Sequence, residues 1–277
     1  MGKIRVGKIV LIVLAGALFS VAYFPALQLL VEKWLNSEEY SHAFLTVPLL
    51  VYMIWSHKKD LQNNQPRYSL IGLLLVLVST ACYLFALLTQ VPTFIFLSFY
   101  FTLVGVLIYL AGLQSVRLLF TPLVLLLILI PVPEQLYTKL TFPLQLKVSQ
   151  VSEILLEMSG VPVLREGNVM HSPGRSFEVV EACSGMRSII TLLTLSLIMG
   201  YFMLKGKVAK IILLLTSIPI AIAVNIVRVS SMILLYHYFQ LDLTEGFFHT
   251  ITGLLVFVLA FVMLLLVHKV LEYRENK

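Results

Sequence analysis

Charge is scarce in this chain of 277 residues. Asp, Glu, Lys and Arg together make up 12% of it, about half the ~25% of a soluble globular domain. So few charges cannot clothe a water-facing surface, which excludes a soluble enzyme, a disordered chain and a coiled coil. Cysteine is scarcer still. Cys82 lies inside an apolar run and Cys183 in the polar string Glu181-Ala182-Cys183-Ser184-Gly185. A disulfide-rich secreted domain is therefore excluded, and settings so unlike speak against a Cys82–Cys183 bridge. No His-Glu-x-x-His, no Cys-x-x-Cys and no glycine-rich phosphate loop occurs. Zinc hydrolysis, thioredoxin-like chemistry and nucleotide binding are left without support, and neither metal nor cofactor is expected.

What the chain has is apolar length. Hydrophobic residues make up 59% of it, and a membrane span needs about 20 in a row. Full-length runs lie at about 9–31, 69–90, 92–111, 184–204, 208–237 and 247–268, with shorter ones at about 41–56 and 117–132. The run 9–31 is too long for the core of a signal peptide and reads as a retained span. Orientation follows from the basic residues, which gather on the cytoplasmic side. With all eight runs spanning, Lys3, Arg5, Lys8, Lys58, Lys59, Lys205, Lys207 and Lys210 share one side. Without 41–56, the later groups would face away from the first. Eight spans with both termini in the cytoplasm are therefore expected. The net charge of +6 is read as this bias, with the bilayer and not nucleic acid as the partner.

The longest stretch between spans, 133–181, is expected on the outer face. Leu144, Val148, Val151, Leu155 and Met158 recur at helical spacing, with Gln145, Ser149, Ser152, Glu153 and Glu157 between them. That pattern predicts an amphipathic helix along the interface, started or bent by Pro143, and Glu134 after Pro131 and Pro133 reads as a helix start. Short strands at Val161–Arg165, Asn168–His171 and Ser176–Val180 are separated by turn strings and predict a small β cap. The fold class is thus an all-α polytopic membrane protein of about eight transmembrane helices, with an outer-face helix and a β cap. It reads as a single membrane domain over 1–277, with 133–181 as an insertion.

Polar residues inside apolar runs mark function, because ionisable groups in lipid cost several kcal/mol. Three strings stand out. Cys183, between Glu181 and Arg187, sits at a predicted helix start, where unsatisfied amides and a cation favour the nucleophilic thiolate. A small buried cysteine is the plainer alternative. Arg228, about 13 Å below the outer end of its span at 1.5 Å per residue, shares a face with Asn225 and Ser231; it either serves a site or is satisfied by carbonyls. His249 opens the last span on the outer side, one turn before Gly253, either as a catalyst or as an interfacial residue. Together, a thiol, an imidazole to move protons and a guanidinium to meet an oxyanion suit attack on a peptide carbonyl. His42, in Tyr40-Ser41-His42, either lines the site or anchors the interface. His57, His171, His237 and His268 read as solvated or interfacial.

At these residues the chain resembles the exosortase family, with the archaeosortases as relatives. The resemblance lies in Glu181-Ala-Cys-Ser-Gly-Met-Arg-Ser188, Asn225-Ile-Val-Arg228 and Glu245-Gly-Phe-Phe-His-Thr-Ile-Thr-Gly253. Tyr40-Ser41-His42, Pro131-Val-Pro133, Pro143-Leu-Gln145 and Gly160-Val-Pro-Val-Leu-Arg-Glu-Gly-Asn-Val169 add to it, so that it covers about 40–265. Met186 stands where Leu or Ile is common, a near-isosteric change. The resemblance implies a membrane cysteine protease or transpeptidase of the bacterial inner membrane, with Cys183, Arg228 and His249 catalytic. It implies membrane-anchored substrates with a C-terminal sorting signal: a Pro-Glu-Pro-like motif, one transmembrane helix and a basic tail. The family often works beside exopolysaccharide production. No domain is expected after the last span. Arg187, Asn225, Glu181 and His42 are the candidate substrate-binding residues. Two other readings stay open: a small-solute transporter or channel with Arg228 and Asn225 along the path, and a non-catalytic scaffold. The oligomeric state has no signal in the sequence.

Overall fold

A computed structural model of the chain describes residues 16–37, 39–63, 69–179, 185–243 and 246–277, with the backbone alone at 62, 63, 246, 247 and 249. The chain divides into two compact units, Met1–Pro133 and Glu134–Lys277.

In the first unit, helical residues from 16 pass through a turn at Tyr23 into α1 (Phe24–Asn36). Pro25 accounts for that turn, since it supplies no amide to the preceding helical turn. There follow α2 (Ala43–Ser56), α3 (Lys58–Asn63), α4 (Leu70–Thr89), α5 (Pro92–Ala111), α6 (Leu113–Leu118) and α7 (Phe120–Ile128). Helices α4 and α5 form the tightest pair: a Cβ on Gly72 would run into the backbone of Tyr109. Such close approach replaces the hydrophobic drive that is missing between helices in lipid. A chain of buried hydroxyls crosses the same region. Tyr23 Oη lies 2.7 Å from Thr102 Oγ1, which lies 2.8 Å from Ser79 Oγ.

The segment 117–132, expected as one span, is not one helix. It breaks at Leu119 between α6 and α7, and α7 stops at Ile128. Its nine residues reach only about 14 Å. Pro131 and Pro133 cannot continue a helix, and side chains satisfy the backbone groups freed beyond Ile128. Trp34 Nε1 donates to the Leu129 carbonyl (2.9 Å), and Tyr40 Oη accepts from the Val132 amide (3.1 Å). Non-helical backbone at membrane depth is tolerated where protein supplies such partners.

The second unit opens with α8 (Glu134–Met158), which starts where Pro131 and Pro133 release the chain and carries Pro143 inside it. Three antiparallel strands follow, β1 (Leu164–Glu166), β2 (Val169–Ser172) and β3 (Arg175–Glu178), in the order β1-β2-β3. Their register pairs Leu164 with His171 and Met170 with Phe177. Then come α9 (Met186–Met203), α10 (Lys207–Phe239) and α11 (Gly246–Glu275).

Helix α10 is the axis of this unit. Its 33 residues extend about 50 Å, against a hydrocarbon core of ~30 Å, so its two ends meet different surroundings. Toward Lys207, Leu213, Ile220 and Val224 pack with Leu192 of α9 and Leu264 of α11. Toward Phe239, Val229 and Ile233 pack with Val148 and Leu156 of α8 and Met170 and Phe177 of the sheet. At the Lys207 end the Glu275 carboxylate accepts from the amides of Lys205 (3.1 Å) and Gly206 (2.8 Å), tying the end of α11 to the start of α10.

Two expectations change here. In α8 the buried residues are Thr141, Gln145, Val148, Ser149, Ser152 and Leu156, whereas Val151, Leu155 and Met158 are exposed. The small and polar face lies against protein, and most of the apolar stripe faces outward. His268, expected to be solvated or interfacial, is only 3% exposed. Helix α11 runs on to Glu275, which places His268 in one buried stripe with Leu264 and Leu271. Among the described residues five helices are long and apolar enough to cross a bilayer: α4, α5, α9, α10 and the part of α11 from Thr250 to Glu275. Helix α2, at 14 residues, is shorter.

Candidate active site

Gly185, the cap ahead of α9, has its backbone in the left-handed conformation (φ 84°). An L side chain resists that conformation, and space resists it too. A Cβ on Gly185 would stand 3.3 Å from Cβ, Cγ and Nδ2 of Asn225. The start of α9 is thus seated directly on the Asn225 side chain, itself 1% exposed on α10. Three residues further along α10, one turn on, is Arg228. Its guanidinium reaches α11: a Cβ on Gly253 would lie 3.9 Å from Arg228 Nη2. Gly185, Asn225, Arg228 and Gly253 therefore form one line of contact across three helices.

Of the predicted residues, Asn225 and Arg228 stand on this line. Cys183 and Glu181 lie outside the described residues; Cys183 precedes Gly185 by two positions. His249 is in the first turn of α11, one helical turn before Gly253, with its backbone alone described. Arg187 is half-buried in the first turn of α9. His42 belongs to the first unit. It is half-buried ahead of α2, and its carbonyl accepts from the Thr46 amide (3.0 Å) and Thr46 Oγ1 (2.9 Å). Beside it, Tyr40 is buried. Burial raises the Tyr40 phenol above its ordinary pKa, the hydrogen bond from the Val132 amide works against that, and nearby Glu39 adds to it. Tyr40 therefore stays protonated at any physiological pH. Among the described residues no group of His, Cys, Asp or Glu gathers to hold a metal ion.

Arg228 opens onto a cavity of about 250 Å³ between α10 and α11. Ser231 and Thr252 add hydroxyls to its lining, and Val227, Met232, Leu235, Leu243, Leu255, Val256 and Leu259 supply the apolar rest. Leu255 is 62% exposed, and Val227 and Leu259 are exposed as well, so the cavity opens on the outward face of the helix pair. Its shape is that of an apolar cleft with one guanidinium. The apolar walls gave no signal in the sequence, since a leucine lining a cleft and one facing lipid look alike in an apolar run.

Residues 34–266 match the family described as transmembrane exosortase (Exosortase_EpsH). The chain belongs to the exosortase family. No curated protein and no solved structure matches it. The match takes in α2 to α10, most of α11 and all three candidate strings. Exosortase membership and the apolar helices together make this a multi-pass membrane protein.

Proposed function

We propose that this exosortase-family chain is a membrane cysteine protease or transpeptidase. On this reading it cleaves a C-terminal sorting signal of exported proteins through a Cys183 thioester. The observation that supports the reading is the line Gly185–Asn225–Arg228–Gly253, in which Gly185, two residues after Cys183, meets Asn225, and Gly253, one helical turn after His249, lies near the Arg228 guanidinium.

In the proposed reaction the Cys183 thiolate attacks the scissile carbonyl carbon, and the carbonyl oxygen takes the electron pair. Arg228 faces that oxyanion or clamps the substrate, with a cation in a low-dielectric setting where it counts for most. Collapse of the intermediate re-forms the carbonyl and expels the amine, which takes a proton from His249. Water or an acceptor amine then attacks the thioester and gives its proton to His249, and the thiolate leaves. Glu181, Arg187 and Asn225 are assigned to substrate contact. The site faces the outer side of the bacterial inner membrane, with residues 134–179 on that face and both termini in the cytoplasm. The apolar cleft beside Arg228 suits a substrate helix arriving from the bilayer better than a polar solute path.

The experiment is co-expression with a tagged reporter that ends in a Pro-Glu-Pro motif, a transmembrane helix and a basic tail. Cleavage by the unsubstituted chain, lost in Cys183→Ala and His249→Ala at equal membrane abundance, supports the proposal. Cleavage that survives Cys183→Ala overturns it and favours the transporter or scaffold reading.

A further inference from the structure

The proposed chemistry makes no use of Arg175, the first residue of β3, yet the structure ties it to the connection between α10 and α11. That connection leaves α10 at Gln240, in the left-handed conformation (φ 53°), which is uncommon outside glycine. Two residues on, Asp242 pairs through Oδ2 with Arg175 Nη1. The next residue, Leu243, is 7% exposed and walls the cavity of Arg228. Arg175 has further contacts besides Asp242. Its guanidinium lies 5.6 Å from the ring centroids of both Phe177 and Tyr236, and these two rings meet edge-on at 5.3 Å. An isolated surface ion pair contributes little. This one is only part-exposed, and its cation lies over two aromatic rings, one on the sheet and one on α10, which restrict where the cation stands.

We infer that Arg175 is a positioning residue for the proposed reaction: through Asp242 it seats Leu243 against the cavity of Arg228 and fixes the start of the link to the helix of His249. The inference rests on the reading of Arg228 and His249 as catalytic. It requires the β cap to act on the site from a distance, with no contact to substrate. A misplacement of about 1 Å at a reacting group costs up to about a hundredfold in rate.

Two readouts test it in the full chain in membranes. The first places a single thiol, Leu243→Cys, in a Cys82→Ser, Cys183→Ser background and follows labelling by a membrane-impermeant maleimide. Protection is expected with Arg175 present, fast labelling in Arg175→Ala, and protection again in Arg175→Lys, which keeps the cation over the rings. The second follows the tagged reporter with both native cysteines in place. Arg175→Ala and Asp242→Ala are expected to lower kcat roughly ten- to a hundredfold with KM little changed, and Arg175→Lys to restore most of it. Labelling that is the same in all three chains overturns the inference. So does faster labelling with an unchanged kcat, which leaves Arg175 a purely structural residue. A reporter that the unsubstituted chain leaves intact removes the proposed function instead, and the labelling then reports the Arg175–Asp242 contact by itself.

Discussion

A glycine decides how the start of α9 meets α10. At Gly185 the backbone conformation and the 3.3 Å clearance to Asn225 both refuse a side chain. The left-handed conformation costs an L residue about 1–2 kcal/mol, and the crowding adds to it. Gly185→Ala is therefore expected to lower the thermal midpoint in detergent and to cut reporter cleavage, whereas Gly167→Ala, with open space around it, strains only its own turn. Equal midpoints for Gly185→Ala and the unsubstituted chain would contradict the packing described. Arg187 belongs to the same scale. If it meets the acid of a Pro-Glu-Pro motif, Arg187→Ala slows cleavage of the Glu reporter and has little effect on a Gln reporter. Equal losses on both would exclude that pairing.

At the scale of elements, α8 shows how far a helical pattern reads. Its existence, its start at Glu134 and its amphipathic character were legible from the spacing and from Pro131 and Pro133. Which face meets protein was not. Ser149, Ser152 and Gln145 are polar by composition, yet they are buried on the face of α8 that packs against protein. The stripe of Val151, Leu155 and Met158 is left to the surroundings. Ser152→Leu should overpack that contact and cost about 1–3 kcal/mol. Met158→Ser, at 81% exposure, should stay within about 0.5 kcal/mol. Denaturation of the purified protein in one detergent compares the two, and the reverse order would return the apolar stripe to the inside. The break at Leu119 escaped the sequence for a related reason: hydropathy records that 117–132 avoids water, not whether its backbone bonds are made along one helix. The Trp34 and Tyr40 side chains that satisfy the freed groups come from far along the chain. The Arg175–Asp242 pair likewise joins positions 67 apart with no local signal. By contrast, the sequence already set Arg228 and Asn225 apart as polar residues within an apolar run, and the burial of Asn225 on α10 agrees with that reading.

At the scale of the whole molecule, the chain is an exosortase-family membrane protein whose second unit is strung along α10. The Lys207 end of that helix is clamped by Glu275, and the Phe239 end carries the β cap and the approach to Arg228. The proposed topology puts Lys59 and Lys205 both in the cytoplasm, which requires α2 to cross despite its 14 residues. Single cysteines at these two positions, in a chain without Cys82 and Cys183, are expected to resist an impermeant maleimide in spheroplasts and to react in inverted vesicles. Reaction of position 59 in spheroplasts would make α2 a re-entrant or interfacial helix. The account as a whole stands on a sulfur that carries the substrate. Intact-mass analysis of the purified protein, after rapid quenching with the reporter, reads this directly. The account predicts a hydroxylamine-sensitive adduct on Cys183 that is absent from Cys183→Ala and accumulates when the acceptor step is slowed. Turnover of the reporter with no such adduct, or an adduct that survives in Cys183→Ala, would contradict it.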